Sequence, residues 1–437
     1  DVWASVEHPE LWLGPPRSGK GFSLVINGIM AAPGPVIASS VRSDNMVATI
    51  KGRAARGPVA VFDPERVSGR ESTFRWSPLA GCEDPRVAQR RAQVLVAGTG
   101  ISRGENAVWG STAGGILQAL LHAAALDGRS VHDLWRWAQS PAHMGEAARV
   151  LENQSAENWE AQLDAIKSAD PRLQGSQFLG VKEAMRPLDL EAVRDAFDVP
   201  ADQATDIGRF LADCGTLYPL ARWSGEDTDT PSTGRYITLL FDEFVSTARE
   251  LSQTSGLNRL DPPLTIVADE LANMHPWSNL GQAFAAGSGE GVKVCAVFQS
   301  LSQIRAGWGL DVADTLWNAA NVVILGGNKN PADLDAIARL VGERVVSQTH
   351  DTWSEMGGPW RRGGAEQLTF RPVLTADDIR RIPQGCGLLV AGSCRPVLVD
   401  LEPWPERPWS WLVRESEVWH MSHPARGGAL APAYTGQ

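Results

Sequence analysis

One loop, Gly14-Pro15-Pro16-Arg17-Ser18-Gly19-Lys20-Gly21, limits what this chain can fold into more than any other stretch. Its pattern is that of a P-loop. The glycines let the backbone curl until its N–H groups converge on an anion, the lysine reaches the terminal phosphates, and the next helix offers its positive N-terminal end. Leu11-Trp12-Leu13 before the loop reads as the end of a buried strand, and residues 22–30 carry helix-compatible apolar spacing. A glycine-rich turn with a chance lysine is the plain alternative; the strand before and the helix after argue against it. Gly14, Pro15, Pro16, Arg17, Ser18, Gly19, Lys20, Gly21 and Phe22 are therefore the expected phosphate-binding residues. One position departs from the usual motif. Gly21 stands where Ser or Thr gives Mg2+ a hydroxyl, and Ser23 comes two residues too late to replace it.

A site that hydrolyses nucleotide needs a second, acidic cluster, and two places offer adjacent carboxylates after an apolar run: Asp269-Glu270 and Asp242-Glu243. In this Walker B pattern the first acid holds Mg2+ and the next positions water. Around the second pair, Ile237, Leu240, Phe241, Phe244, Ala248 and Leu251 recur at steps of three and four, the signature of one helix face, which makes Asp242 and Glu243 solvated surface charges. The run before Asp269 is short and follows Pro262-Pro263, which block a continuing helix. Asp269 is the expected metal-facing acid and Glu270 the expected catalytic one. A third apolar run, 292–298, ends in Gln299, about 30 residues after the acidic pair. A glutamine closing a strand is more often a simple hydrogen-bonded cap, but at this place a polar side chain can touch the γ-phosphate or the attacking water, so Gln299 joins Glu270 as an expected catalytic residue.

Taken together, GPPRSGKG at 14–21, DELAN at 269–273 and QSLSQIRAGWG at 299–309 resemble the motor domain of type IV secretion coupling proteins, the TraG/TraD class, in an actinobacterial-looking variant. The segment 74–79, Gly326-Gly327 and the run 371–375 are similar to that family as well, so the resemblance spans about 11–404. It implies a RecA-like α/β P-loop NTPase core with an inserted all-α domain that faces the cytoplasm and receives substrate. The implied activity is ATP hydrolysis with Mg2+, driving DNA, expected single-stranded with bound relaxase, to secretion-channel proteins. It further implies a homo-hexamer at the cytoplasmic face of the cell membrane. Gly after the P-loop lysine is frequent in the family. In such rings an arginine from the neighbouring subunit meets the transition-state charge; Arg305, Arg344 and Arg371 are candidates, each of which taken singly reads as a surface ion pair.

The remaining features are compatible with this reading. At 437 residues the chain can build a large core and two domains. A net charge of −11 argues against the whole surface gripping nucleic acid, but a ring can concentrate basic side chains in its pore. The five cysteines show no C-x-x-C pair or metal spacing, and Cys295 sits within an apolar strand, which fits core packing and a reducing setting. No run of 18 apolar residues marks a membrane span and no signal peptide is evident. The chain starts at Asp1 and reaches the P-loop almost at once, as expected of a fragment of a longer protein or of a divergent soluble form.

The pattern along the chain predicts residues 1–104 as the first part of a nucleotide-binding domain, 105–205 as the all-α insertion, 206–412 as the second part and 413–437 as a disordered tail. Strands are expected at 36–40, 59–63, 216–221, 264–269, 292–298 and 321–325. Helical spacing marks 107–126, 130–139, 143–154, 156–168, 189–197 and 233–254. Trp109, Trp135, Trp137 and Trp159 are expected as core anchors. The Gly-rich stretch 346–370 reads as a loop, Thr375 as the cap of a helix at 376–382, and 387–401 as a hairpin. Two other readings stay open: a RecA-like DNA translocase of the cell-division or ESX-secretion type, and a non-hydrolysing nucleotide-gated adaptor.

Overall fold

The computed structural model describes residues 5, 8–97, 107–223, 232–353 and 362–423. Eleven strands occur among them: β1 (Glu10–Leu13), β2 (Val36–Ser39), β3 (Val59–Phe62), β4 (Thr216–Pro219), β5 (Leu264–Ala268), β6 (Val292–Phe298), β7 (Asn321–Ile324), β8 (Glu343–Trp353), β9 (Arg362–Pro372), β10 (Cys386–Val390) and β11 (Val397–Asp400). The first seven, with β10 and β11, form one sheet in the order β11-β10-β7-β1-β6-β5-β2-β4-β3. Every neighbouring pair from β7 to β3 is parallel, and β10 and β11 are antiparallel additions at one edge.

The short parallel strands are mostly apolar and buried because helices cover both sides of a parallel sheet, and the two charges in them, Glu10 of β1 and Lys293 of β6, pair with each other at 2.5 Å. Leu11 and Leu13 enter one buried cluster and Trp12 the other; Val294 and Ala296 alternate in the same way with Cys295 and Val297. Cys295 is thus a core residue, as its run of neighbours suggested.

The helices before the acidic strand are α1 (Ile26–Ala31), α2 (Asp44–Ala54), α3 (Pro85–Ala97), α4 (Ala107–Leu126), α5 (Val131–Trp137), α6 (Gly145–Gln154), α7 (Glu160–Lys167), α8 (Pro171–Met185), α9 (Glu191–Phe197), α10 (Ile207–Ala212) and α11 (Gly234–Thr254). After it come α12 (Leu271–Met274), α13 (Leu280–Glu290), α14 (Leu301–Trp308), α15 (Leu310–Ala319), α16 (Pro331–Val341), α17 (Ala376–Arg380) and α18 (Ser410–Ser422). Helices α4–α9 lie in sequence between α3 and β4. Their centre is α4, whose Ile116, Leu117, Leu120, Leu121 and Ala124 are all fully buried. It packs on α3, α6 and α8, and the helices and the sheet share one continuous apolar cluster. Trp137 is fully buried, whereas Trp135 and Trp159 pack half-buried against the core; the side chain of Trp109 lies outside the described residues.

Three expectations need correction. The stretch 346–370 is not a loop in its described parts. Strands β8 and β9 pair antiparallel from Glu343 opposite Pro372 to Trp353 opposite Arg362, with Val345 facing Phe370. Residues 413–422 are helical rather than an unstructured tail. Val413 of α18 is fully buried in a cluster with Ile26, Met30, Ala48 and Trp404, Ser416 Oγ donates to the Val47 carbonyl at 2.5 Å, and Lys51 pairs with Glu415 at 2.6 Å. Residues 424–437 lie outside the described residues.

The third correction concerns Asp242 and Glu243. Helix α11 forms and buries the predicted face, but α3, α10 and α13 pack around it as well, so both acids are buried. Asp242 accepts from Trp277 Nε1 at 2.7 Å and from Asn279 Nδ2 at 3.0 Å. Burial pushes its carboxyl up to about 6 against these bonds. Burial would also raise Glu243, but hydrogen bonds and charge from Arg91 and Arg90 hold it below the usual range. Arg91 grips it at both oxygens, each at 2.9 Å. Both acids therefore fix helices and do not form a metal site. Glu243→Ala strands the buried Arg91 guanidinium and is expected to cost about 3 kcal/mol of unfolding free energy. Denaturant titration measures this, and an unchanged midpoint would contradict the structural role.

Candidate nucleotide site

Parallel pairing gathers the motifs. Loops leaving the carboxyl ends of β1, β5, β6 and β7 emerge along one edge of the sheet, where α/β folds place their ligands. β6 separates β1 from β5, so the P-loop, Gln299 and the Asp269-Glu270 pair stand side by side.

The loop departs from the sheet after Gly14, whose N–H still donates to the Phe298 carbonyl at 3.0 Å. Gly14 is required by space: a Cβ there would sit 2.7 Å from Ser18 Oγ and 2.9 Å from Leu325 Cδ1. Arg17 at φ 64° and Gly19 at φ 91° adopt left-handed backbone, which turns successive N–H groups inward as an anion nest. Ser18 Oγ is buried with no hydrogen-bond partner, an orphan that a phosphate oxygen would satisfy. Lys20 Nζ folds back to donate to the Gly14 carbonyl at 2.6 Å. Burial lowers its pKa, and the charges of Asp269 and Glu270 oppose that shift. Gly21–Val25 form a wide turn in which the Ile26 N–H reaches back to the Gly21 carbonyl before α1 begins. Such turns are frequent at functional sites. Phe22 is half exposed and lies edge-on to Trp404, ring centroids 5.9 Å apart.

At the end of β5, Asp269 Oδ2 accepts from Asn45 Nδ2 at 2.9 Å. Burial, then the adjacent Glu270 charge, pushes its carboxyl up to about 6, against the Asn45 bond and Lys20. A carboxylate held so unfavourably in isolation gains most when a cation arrives. Glu270 stands at φ 55°, ψ 32°, a left-handed conformation that a non-glycine residue holds only at a cost, and it opens α12. Among the described residues no three His, Cys, Asp or Glu side chains cluster as a protein-only metal cage. The donor set instead suits Mg2+ held by one carboxylate together with phosphates and water.

Gln299 closes β6. Its N–H donates to Gln303 Oε1 at 2.9 Å, and Gln303 Nε2 donates to Asn273 Oδ1 at 3.2 Å, which ties the end of β6 to α12. Gln299 also lines a cavity of about 680 Å³ with Pro15, Pro16 and Ser18, walled by Gly326 and Gly327. Arg17, Lys329 and Arg380 give that wall positive charge, and no acid lines it. Asp269 and Glu270 are not among its lining. The structure thus puts Lys20 within the electrostatic reach of the acidic pair on one flank of the loop, and Pro15–Ser18 beside Gln299 on the other.

Sequence reasoning missed three contributors. Asn45 reaches Asp269 from the first turn of α2; the only signal was a polar Ser-Asp-Asn run after an apolar strand. Gln384 lies against Gly19, its Nε2 3.6 Å from where a Cβ would stand. Gln303 is the third. Of the arginines, Arg305 pairs within the chain to the fully buried Asp333 at 3.2 Å, and Arg344 and Arg371 face each other across β8 and β9.

Residues 7–175 match the family model for type IV secretory system conjugative DNA transfer, and residues 263–384 match that for the TraM recognition site of TraD and TraG. The chain belongs to the type IV secretion coupling protein family. Both matched stretches contain motifs that carried the resemblance: the P-loop in the first, Asp269, Glu270 and Gln299 in the second. The coupling protein shares its fold with the bacterial conjugative coupling protein TrwB, unbound, at 20% identity and a TM-score of 0.66, covering 91% of this chain and 85% of that one. TrwB in complex with ADP and Mg2+ matches at 19% identity and a TM-score of 0.64, and TrwB with a non-hydrolysable ATP analogue at 20% and 0.64; each covers 91% of this chain and 86% of the other. No curated protein sequence matches it. Among the described residues no helix is long and apolar enough to cross a membrane.

Proposed function

We propose that this coupling protein binds and hydrolyses ATP with Mg2+ and uses the cycle to drive DNA, single-stranded and carrying its relaxase, towards secretion-channel proteins. One observation carries the reading: the order β1-β6-β5 sets Lys20 beside Asp269 and Glu270, with Glu270 held in left-handed backbone. The loop N–H groups of Arg17, Gly19, Lys20 and Gly21, together with Ser18 Oγ and the Lys20 ammonium, bind and orient the phosphates. Bound Mg2+ would neutralise charge that develops on the phosphates, and Asp269 is the side chain that would hold it. Glu270 orients the attacking water and takes up its proton. Gln299 meets the terminal phosphate, and the Gln303–Asn273 bond relays its state to α14 and α12. The complexes of TrwB with ADP and Mg2+ and with an ATP analogue support this assignment by likeness of fold.

The residues 105–205 we assign to substrate reception, with 1–104 and 206–412 as the motor. The working form is a hexameric ring at the cytoplasmic face of the membrane, in which a neighbour supplies the arginine that Arg305, engaged by Asp333, does not. A dilute chain is accordingly expected to be monomeric and a weak ATPase. DNA should raise turnover and the oligomer fraction together, less so as salt rises, because phosphates make the contact. ATPase rate against protein concentration, with and without DNA and alongside sedimentation, tests this. Full-rate hydrolysis by a dilute monomer indifferent to DNA would replace the ring motor with a self-contained ATPase.

A further inference from the structure

The residue after a P-loop lysine normally presents a hydroxyl to the metal ion, and here it is Gly21, with no side chain at all. The space is nonetheless addressed by a polar atom. Outside its own helix, a Cβ placed on Gly21 would meet one heavy atom within 4 Å, Asn45 Oδ1 at 3.9 Å. The other arm of the same carboxamide, Nδ2, donates to Asp269 Oδ2 at 2.9 Å. One amide therefore bridges the bare P-loop position and the acid that faces the cation. Asn45 is only 7% exposed, and its place is fixed from behind: its own carbonyl accepts from Thr49 Oγ1 at 2.7 Å, and that hydroxyl lies 2.8 Å from the Tyr218 hydroxyl. Among the described residues no donor occupies Oδ1, so the carbonyl end of the amide is available.

We propose that Asn45 supplies the oxygen that Gly21 does not. In this role, which rests on the nucleotide reading above, Oδ1 joins the oxygens that face Mg2+ while Nδ2 holds Asp269 in position. A carboxamide oxygen is a hard, neutral donor suited to Mg2+. Neutrality matters because Asp269 and Glu270 already crowd two negative charges there, and Asp44 adds to the field on Asp269. A third carboxylate in place of Asn45 would add repulsion to the apo site. The motor has in effect moved a metal-facing oxygen from the start of α1 to the start of α2.

Calorimetric ADP affinity in Mg2+ and in EDTA tests the assignment, with Mn2+ affinity of the protein–ADP complex read separately by electron paramagnetic resonance. The variants are Asn45→Ala, and Asn45→Ala combined with Gly21→Ser, for which the 3.9 Å clearance leaves room. Asn45→Ala is expected to keep the metal-free ADP affinity and lose about 10–100-fold in Mn2+ affinity. Adding Gly21→Ser should restore much of that loss by returning the hydroxyl to its usual place. Wild-type Mn2+ affinity in Asn45→Ala overturns the proposal. So does an equal loss of ADP affinity with and without metal, which would assign Asn45 to shaping the loop alone. A wild-type protein that binds no nucleotide under any condition would instead remove the nucleotide reading, and this role with it.

Discussion

Lys20→Ala is expected to abolish measurable ATP binding while leaving the protein folded. The lysine closes the loop, and its Nζ rests on the Gly14 carbonyl at 2.6 Å, across the loop's own curl. Each charge-assisted hydrogen bond it would make to phosphate contributes about 1.5–3 kcal/mol. Losing two such bonds lowers affinity by roughly 10²-fold to 10⁴-fold. The folded state has less at stake. Burial already depresses the ammonium, so its removal relieves a desolvated charge even as Asp269 and Glu270 lose a positive neighbour. Calorimetric titration with ATP, paired with a melting curve of the free protein, separates the two effects. An unchanged affinity would sink the P-loop assignment. Lost affinity together with a collapsed melting temperature would make Lys20 a structural residue.

How much of this could be read from the chain depends on the range over which each feature acts. The central strands were legible because burial on both faces demands continuous apolar runs such as those at β5 and β6, and the loop was legible because its chemistry lies within eight consecutive residues. Capping was local too: Thr375 caps α17 as expected, and Asp378 completes a capping box with it. What could not be read acts over distance. Asn45 and Asp269 meet across 224 positions, and nothing in a periodicity count links them. Periodicity showed which face of α11 is apolar, yet not that α3 and α13 would cover the acids on its other side. Helix α8 was missed because it buries only a narrow set, Phe178, Val181, Ala184 and Met185, while Leu173 and Leu179 stay exposed. In 346–370 the glycines concealed an alternation that becomes visible only once β8 and β9 are in register, with Val345 opposite Phe370.

The acidic pair carries the other large effect. Glu270→Gln is expected to retain ATP binding and lose turnover by about 10²-fold to 10⁴-fold, the range typical of removing a positioned general base. The substitution preserves side-chain shape, so the β5–α12 corner and the neighbouring Asp269 should stay in place. Backbone geometry strengthens the assignment. Glu270 holds φ 55°, a conformation glycine would adopt freely. A residue that served only the turn would be better as glycine. Glu270→Gly is therefore expected to lose turnover just as fully while the protein becomes no less stable, and more stable by up to about 1 kcal/mol as the left-handed strain is relieved. Glu243→Gln should behave in the opposite way, losing stability first, since its partner Arg91 is buried with it. Single-turnover hydrolysis and denaturant unfolding on the same three variants distinguish these patterns. Full turnover by Glu270→Gln, or a Glu270→Gly protein that unfolds much more easily than wild type, would show that the strained glutamate is held there for the fold and that the water is activated elsewhere.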